Sequence, residues 1–408
     1  MSPALPAAAA MGDVRRGAAT ERDPMLNSRE CASLDADLPK ASFLFMVIGF
    51  GYLFPYNALS QPVDYWHLLF PAFNVDFEIS WAYNIASVTT LFLIVWIGGK
   101  QWYTGRIVGG FFTQVVILAV LPASYLVFTT EFQNLAMVLG STVVVSIATS
   151  FLDSSVFSLA NLFPTGGIES VQLGMGFSMV VTSGYRIITK AFFPADAVVG
   201  ATMLYFMVGA ATVACGILAY YVLLSLPLTQ HCLDKAKQDI VRLSLVRKIW
   251  CQELYVALTY ASSLAAWPGV VSVIPSYQFP SLNSSGWWPQ ILLATYAGCE
   301  LVGRYLVRYR RGMHANTIWM FVVPRLLTIP LAVCCAKGVL THDAISIAVT
   351  VGAGLSSGYV GTLAIVVVNE IVEPEEQSAT GMLSSFFLNV GLIVGSSVGV
   401  ALAKVFDM

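Results

Sequence analysis

Charge is scarce along this chain. Of 408 residues, 11% are charged and 57% hydrophobic, with a mean hydropathy of +0.74; an ordinary soluble domain carries about twice that charged fraction. Histidine is scarcer still. His67, His231, His314 and His342 are the only four, and all lie outside the apolar runs, so none is offered for a membrane-embedded catalytic position. No phosphate-cradling glycine loop and no Asp-Asp-x-x-Asp cluster is present, which excludes ATP as a direct energy source and argues against an integral-membrane prenyl- or acyl-transferase. The seven cysteines (Cys31, Cys215, Cys232, Cys251, Cys299, Cys334, Cys335) have neither a disulfide framework nor zinc spacing and read as structural filler. A net charge of −2 says little about partners, because its distribution matters more than its sum; no nucleic-acid partner is expected.

What the chain has instead is long apolar runs. A membrane-spanning helix needs about 20 mostly apolar residues, and such runs lie near 41–59, 79–98, 107–127, 135–163, 171–193, 200–227, 251–275, 287–306, 316–336, 344–371 and 382–406. Backbone polar groups must be satisfied inside lipid, so runs of this length are helices. The expected fold class is therefore all-α, a polytopic membrane protein with eleven transmembrane helices. Six precede and five follow a basic polar connector at 228–250, which divides the chain into bundles at 41–227 and 251–406. Residues 1–40 lack an apolar run and are expected to form a disordered cytoplasmic tail, with no cleavable signal peptide.

Basic residues orient the stack. With the N-terminus in the cytoplasm, fifteen Lys and Arg fall in inside segments and two, Lys337 and Lys404, at outside positions, a strong positive-inside asymmetry. An odd number of spans then leaves the C-terminus outside. The sequon Asn283-Ser284-Ser285 falls in the 276–286 loop, on the outside by the same rule, and makes Asn283 a glycosylation candidate. Trp66, Trp81, Trp102, Trp287 and Trp288 lie near span ends and read as interface belts; Tyr56 differs, sitting between Pro55 and Asn57 in a polar patch of the first span.

Ionisable groups inside spans cost about 2.5–3.5 kcal/mol each on insertion scales, so each is a functional candidate. Glu300 and Arg304, four apart with the acid N-terminal, share one helical face. They either neutralise each other within their helix or face a central cavity, where carboxylate and guanidinium could grip the hydroxyls of a sugar. Asp153, within Thr149-Ser-Phe-Leu-Asp153-Ser-Ser155, has no base within a helical turn of sequence. It must meet a base from another helix, line water, or keep its proton; the last would make it a proton-coupling site. Arg186 is a candidate partner for Asp153 or an outer gate, and Lys190 an interface anchor. Arg325 lies between Pro324 and Pro330, where a bend and freed carbonyls are expected. Gly174 and Gly176 open the fifth span, Trp267-Pro268-Gly269 interrupts the seventh, and Gly352 to Gly361 run along the tenth, features that permit close helix approach and broken helices.

In order along the chain, several of these fragments resemble motifs of the equilibrative nucleoside transporter family. Gly51-Tyr-Leu53-Phe-Pro55-Tyr56-Asn57 is similar to the family's Gly-x-Leu-x-Pro-Trp-Asn, with Tyr56 in place of Trp. The stretch Leu152 to Pro164 is similar to the fourth-span pattern, with Asp153 replacing a common Gln. Glu300-Leu-Val-Gly303-Arg304 is similar to Asp-x-x-Gly-Arg of span eight, and Gly354-Leu-Ser-Ser-Gly358-Tyr359 to Gly-Leu-Ser-Asn-Gly-Tyr of span ten.

The resemblance implies a major-facilitator-like architecture of 6+5 helices and a non-enzymatic carrier. Its expected substrate is a nucleoside or nucleobase, moved by alternating access without a cofactor, with proton coupling at Asp153 left open. By position, Glu300 and Arg304 are the expected sugar grip, Leu53, Tyr56, Asn57 and Ser60 the first-span wall, and Asp153 the base-facing contact. Gating or structural roles fall to Arg325, Arg186, Gly174, Gly176 and Pro268. No metal is expected. The partners are substrate and lipid, the chain is expected to be a monomer, and its membrane the plasma membrane. A carrier of another small polar solute remains the alternative.

Overall fold

The computed structural model describes residues 28–60, 66, 70, 75–98, 102–124, 130–164, 166–192, 198–235, 243–310 and 312–406. Within these the chain is helical, in the order α1 (Ser28–Ser60), α2 (Val75–Ile97), α3 (Tyr103–Ser124), α4 (Glu131–Asn161), α5 (Gly167–Phe192), α6 (Val198–Ser225), α7 (Pro227–Lys235), α8 (Leu243–Ala266), α9 (Gly269–Ser272), α10 (Pro280–Ser284), α11 (Trp287–Leu306), α12 (Trp319–Arg325), α13 (Thr328–Ala336), α14 (Asp343–Val368) and α15 (Gln377–Val405).

The first helix begins well before the apolar run. At 33 residues and 1.5 Å per residue it is about 50 Å long, more than the ~30 Å of bilayer hydrocarbon. The tail expected over 1–40 is therefore corrected from Ser28 onward: this stretch is rich in Ala, Leu and charged residues, and an Asp37–Lys40 pair at 3.2 Å spans one of its turns. Residues 1–27 lie outside the described residues. The connector expected at 228–250 is likewise helical at both ends, in α7 and the first turns of α8, with 236–242 outside the described residues.

Two expected breaks are present. The seventh run stops at Ala266 and resumes at Gly269, around Trp267 and Pro268; the ninth divides into α12 and α13 after Arg325. Proline cannot donate to the carbonyl four residues back, so each break falls where the sequence removes a helix bond.

Among the described residues, nine stretches are long and apolar enough to cross a membrane. The two expected spans outside this set are α5 and α11. Both carry buried polar groups: Gln172, Ser178, Thr182 and Ser183 in α5, Glu300 and Arg304 in α11.

Two groups of helices result. In the first, α1 packs on α5 and α6, α4 on α2 and α3, and α3 on α6. In the second, α8 packs on α15 and α14, and α11 on α14. They meet where α15 lies against α4 and α2, and α11 against α5. The α4–α15 approach is close enough that a Cβ on Gly381 would stand 2.7 Å from the Phe157 carbonyl oxygen. At the end bearing the α6–α8 connector the groups are bonded together. Ser158 donates to the Ser378 carbonyl (3.0 Å), Asn161 to the Gln377 carbonyl (3.1 Å), Asn369 to Asn161 (2.9 Å), and Arg310 to Glu169 (3.0 Å).

Six cysteines among the described residues are free thiols, in keeping with a filler role. Cys232, on α7, is buried, and that burial pushes its thiol up to about 11. The aromatic belt is only partly as expected. Trp102 is exposed, but Trp288 is buried, and Trp66 is buried with its indole donating to the Leu59 carbonyl at 2.8 Å.

Candidate functional site

Two clusters of buried polar residues, around Arg304 and around Asp153, lie at the junction of the two helix groups. Glu300 and Arg304, each 6% exposed, are joined within α11 by a 2.6 Å ion pair between Oε1 and Nη2. The glycines around them set this geometry. A Cβ on Gly358 of α14 would overlap the Glu300 carbonyl and approach the Arg304 nitrogen to 2.8 Å, so α14 can lie directly against this turn of α11 only without one. Gly176 of α5 leaves room for Arg304 in the same way: a Cβ there would stand 2.9 Å from Arg304 Cδ. Gly174, two residues earlier on the helix, instead faces α1, where a Cβ would come within 2.7 Å of the Phe50 nitrogen. One glycine thus seats α5 on its own bundle and the other admits the arginine of the opposite bundle.

Arg304 does more than neutralise Glu300. Its Nη1 donates to the Gln172 carbonyl of α5 at 3.1 Å and also to Gln172 Oε1. Gln172 Oε1 accepts from the Tyr260 hydroxyl of α8 at 3.3 Å as well. Gln172 was not singled out by sequence reasoning: a lone glutamine two residues before Gly174 has no motif value, and only the folded interface places it opposite Arg304. Around this cluster, Arg304 Nε and Gln172 Nε2 are buried polar atoms with no hydrogen-bond partner among the described residues. Unpaired donors of this kind cost about 1–3 kcal/mol each, so the cluster retains capacity to bond an incoming polar molecule.

Asp153 lies across the junction of α4 and α15. It is 4% exposed and accepts from Asn389 Nδ2 at 2.7 Å and from the Tyr52 hydroxyl at 3.3 Å. Asn389 Oδ1 in turn accepts from Ser87 of α2 at 2.9 Å, and Ser150 completes the chain to Ser87 at 3.1 Å. Among the described residues no basic side chain meets Asp153. The Arg186 and Lys190 side chains lie outside the described residues. Asn389 and Tyr52, like Gln172, escaped sequence reasoning because neither is ionisable in the ordinary range.

The first-span residues belong to the same helix group as Asp153. Tyr56 packs against Tyr83 with ring centroids 4.4 Å apart. Asn57 is buried and donates to Ser178 at 3.3 Å, tying α1 to α5. Ser60 is half-buried and donates to the Asn57 carbonyl at 3.4 Å, and Leu53 is half-buried against the core. Trp267, beside Pro268, stacks on Tyr296 at 5.3 Å, one turn before Glu300 on α11.

Arg325 is buried and donates to the Thr259 carbonyl (2.6 Å), Ser263 (2.5 Å) and Ser356 (3.3 Å). All three partners belong to its own helix group, so Arg325 braces the α12–α13 break against α8 and α14. Asn283, the sequon residue, is engaged at both ends of its amide. It accepts from the Ser276 nitrogen and donates to the Ser276 carbonyl, each at 2.8 Å.

Two helix groups joined along one interface, with buried charge at their junction, make a major-facilitator-like fold. The fold matches the proton:xylose symporter XylE with a TM-score of 0.65 at 10% identity, covering 91% of this chain and 90% of that one. It also matches FucP in its outward conformation with a TM-score of 0.58 at 14% identity, covering 91% and 92%.

A family model described as nucleoside transporter matches residues 224–403. Equilibrative nucleotide transporter 8 of Arabidopsis thaliana is 26% identical over 370 residues, 88% of this chain and 94% of that protein. Equilibrative nucleotide transporter 1 of the same plant is 25% identical over 408 residues, covering 93% and 90%. Equilibrative nucleoside transporter 4 of Homo sapiens is 20% identical over 438 residues, covering 87% and 81%. The motif resemblance is thereby borne out: the chain is similar to equilibrative nucleoside and nucleotide transporters over most of its length, and its C-terminal part matches the nucleoside transporter model.

Proposed function

We propose that this protein carries nucleosides across a membrane by alternating access, with Glu300 and Arg304 as the grip on the sugar. The observation that carries the reading is the Glu300–Arg304 pair itself, buried at the junction of the two helix groups with a neighbouring Arg304 nitrogen unspent. A ribose presents adjacent hydroxyls that each donate and accept. A carboxylate and a guanidinium side by side supply the matching acceptor and donor edges. Leu53, Tyr56, Asn57 and Ser60 form the wall on the first helix, and free nucleobases are a second substrate class.

Transport follows from the division into two bundles at 41–227 and 251–406. Substrate enters from one side, the bundles rock about the buried site, and the opposite side opens. The basic asymmetry of the sequence supports a cytoplasmic N-terminus and an outside C-terminus, with α5 and α11 completing eleven spans in a plasma membrane. The connector end is then cytoplasmic. The Arg310–Glu169, Ser158–Ser378 and Asn161–Gln377 bonds keep that end shut, an outward-facing arrangement.

The driving force is the substrate gradient, joined by protons at Asp153. Among the described residues the Asp153 carboxyl meets neutral donors and no counter-charge, and a proton meets that need without a cofactor. Uptake of labelled adenosine, uridine and nucleobases into vesicles containing the purified protein tests the reading; accumulation of none of them would refute it.

A further inference from the structure

The Arg304 guanidinium has five N–H groups, and their partners are unevenly placed. Nη2 meets Glu300 on the same helix, whereas both Nη1 hydrogens are taken by Gln172 of the opposite bundle, one by its carbonyl and one by its side-chain oxygen. Gln172 is 0% exposed. Its amide is oriented unambiguously: turned over, it would set NH2 against the guanidinium. In the observed orientation Oε1 is shared by two donors, Arg304 and Tyr260, while Nε2 is buried with no acceptor among the described residues.

This bond also belongs to a ladder between α5 and α11. Nearer the connector end, three residues before Gln172 and six after Arg304, Glu169 meets Arg310 at 3.0 Å. Further in, Gly176 lets α5 pass close to Arg304 and Leu301. The helices cannot part at the connector end while Arg304 is held by Gln172.

Resting on the assignment of Arg304 to the sugar grip, we propose that Gln172 is a positioning residue that competes with substrate for Arg304. Substrate hydroxyls that take the Nη1 edge displace the Gln172 side chain, and the same displacement loosens α5 from α11. Binding energy at the site is thereby converted into a weaker seal at the connector end. A ligand shifts such an equilibrium only through contacts that differ between the two states, and exchange of Gln172 for substrate is a contact of that kind.

The test is equilibrium binding of labelled adenosine and uridine to the purified full-length protein. Gln172→Leu removes the competing oxygen at similar volume, and tighter nucleoside binding is expected, on the order of tenfold for one hydrogen bond to a charged group. Gln172→Glu keeps the shape and strengthens the competitor, and weaker binding is expected. In an Arg304→Ala background the two substitutions should make no difference to whatever binding remains. A purely structural role would weaken binding in both Gln172 variants. That result, or unchanged affinity in a folded Gln172→Glu protein, overturns the proposal while the transport reading stands. Wild-type protein that binds neither nucleoside overturns both.

Discussion

Asn389 of α15 donates its amide to the carboxyl of Asp153 on α4 at 2.7 Å, across the junction of the two bundles. The pair spans 236 positions of sequence and makes a potentially charged group part of the surface along which the bundles must move. Gaining or losing a proton at Asp153 therefore changes a contact between the bundles.

That relationship sets the first prediction. With the outside made more acid than the inside, initial nucleoside uptake by the wild type should exceed uptake at equal pH. Asp153→Asn, which has no proton to exchange, should transport at one rate under both conditions. The comparison is made in vesicles, and an identical response of the two proteins would remove Asp153 from any proton role.

A second prediction concerns how the grip is held. Gly358→Ala places a methyl group into the Glu300 carbonyl, whereas a Cβ on Gly298 meets nothing within 4 Å. Overpacking of this kind costs about 1–3 kcal/mol, so Gly358→Ala should lower the thermal midpoint in detergent and impair uptake. Gly298→Ala should leave the midpoint level or raised, since alanine is the better helix former. Equal midpoints for the two variants would contradict the close α11–α14 approach.

The sequon yields a third. Both polar atoms of the Asn283 amide are bonded to Ser276, in a loop further pinned where Asp343 accepts from the Ser276 hydroxyl at 2.6 Å and the Tyr277 nitrogen at 2.7 Å. A glycan on Nδ2 would replace one of its two hydrogens and would have to fit beside the bond that the other makes to Ser276. Protein from a glycosylating host should therefore show no mass change on glycosidase treatment, and a shift abolished by Asn283→Gln would refute the expectation.

Much of this was legible in the sequence because lipid imposes a simple rule: apolar runs of sufficient length become helices, and the charges left inside them mark the interior. Glu300, Arg304 and Asp153 stood out on that ground, and the breaks near Pro268 and Arg325 followed from proline chemistry. What the sequence could not display were partners chosen by packing. Gln172, Asn389 and Tyr52 are unremarkable until α5, α15 and α1 bring them against charged groups. The role of Arg325 was equally hidden, since its bonds to Thr259 and Ser263 depend on α8 lying beside the break. The start of α1 at Ser28 was missed for another reason, that a helix running past the membrane needs no apolar run.

The most direct test of the central claim is uptake of labelled nucleosides by vesicles containing equal amounts of folded wild type, Glu300→Ala and Arg304→Ala. Because removing one member of a buried pair strands the other, at a cost of about 3–5 kcal/mol, folding is verified first, and Glu300→Gln is carried alongside. Saturable uptake by the wild type and its loss in the Glu300 and Arg304 variants is the predicted result. Normal uptake by folded Glu300→Ala and Arg304→Ala would contradict the assignment of this pair as the grip on substrate.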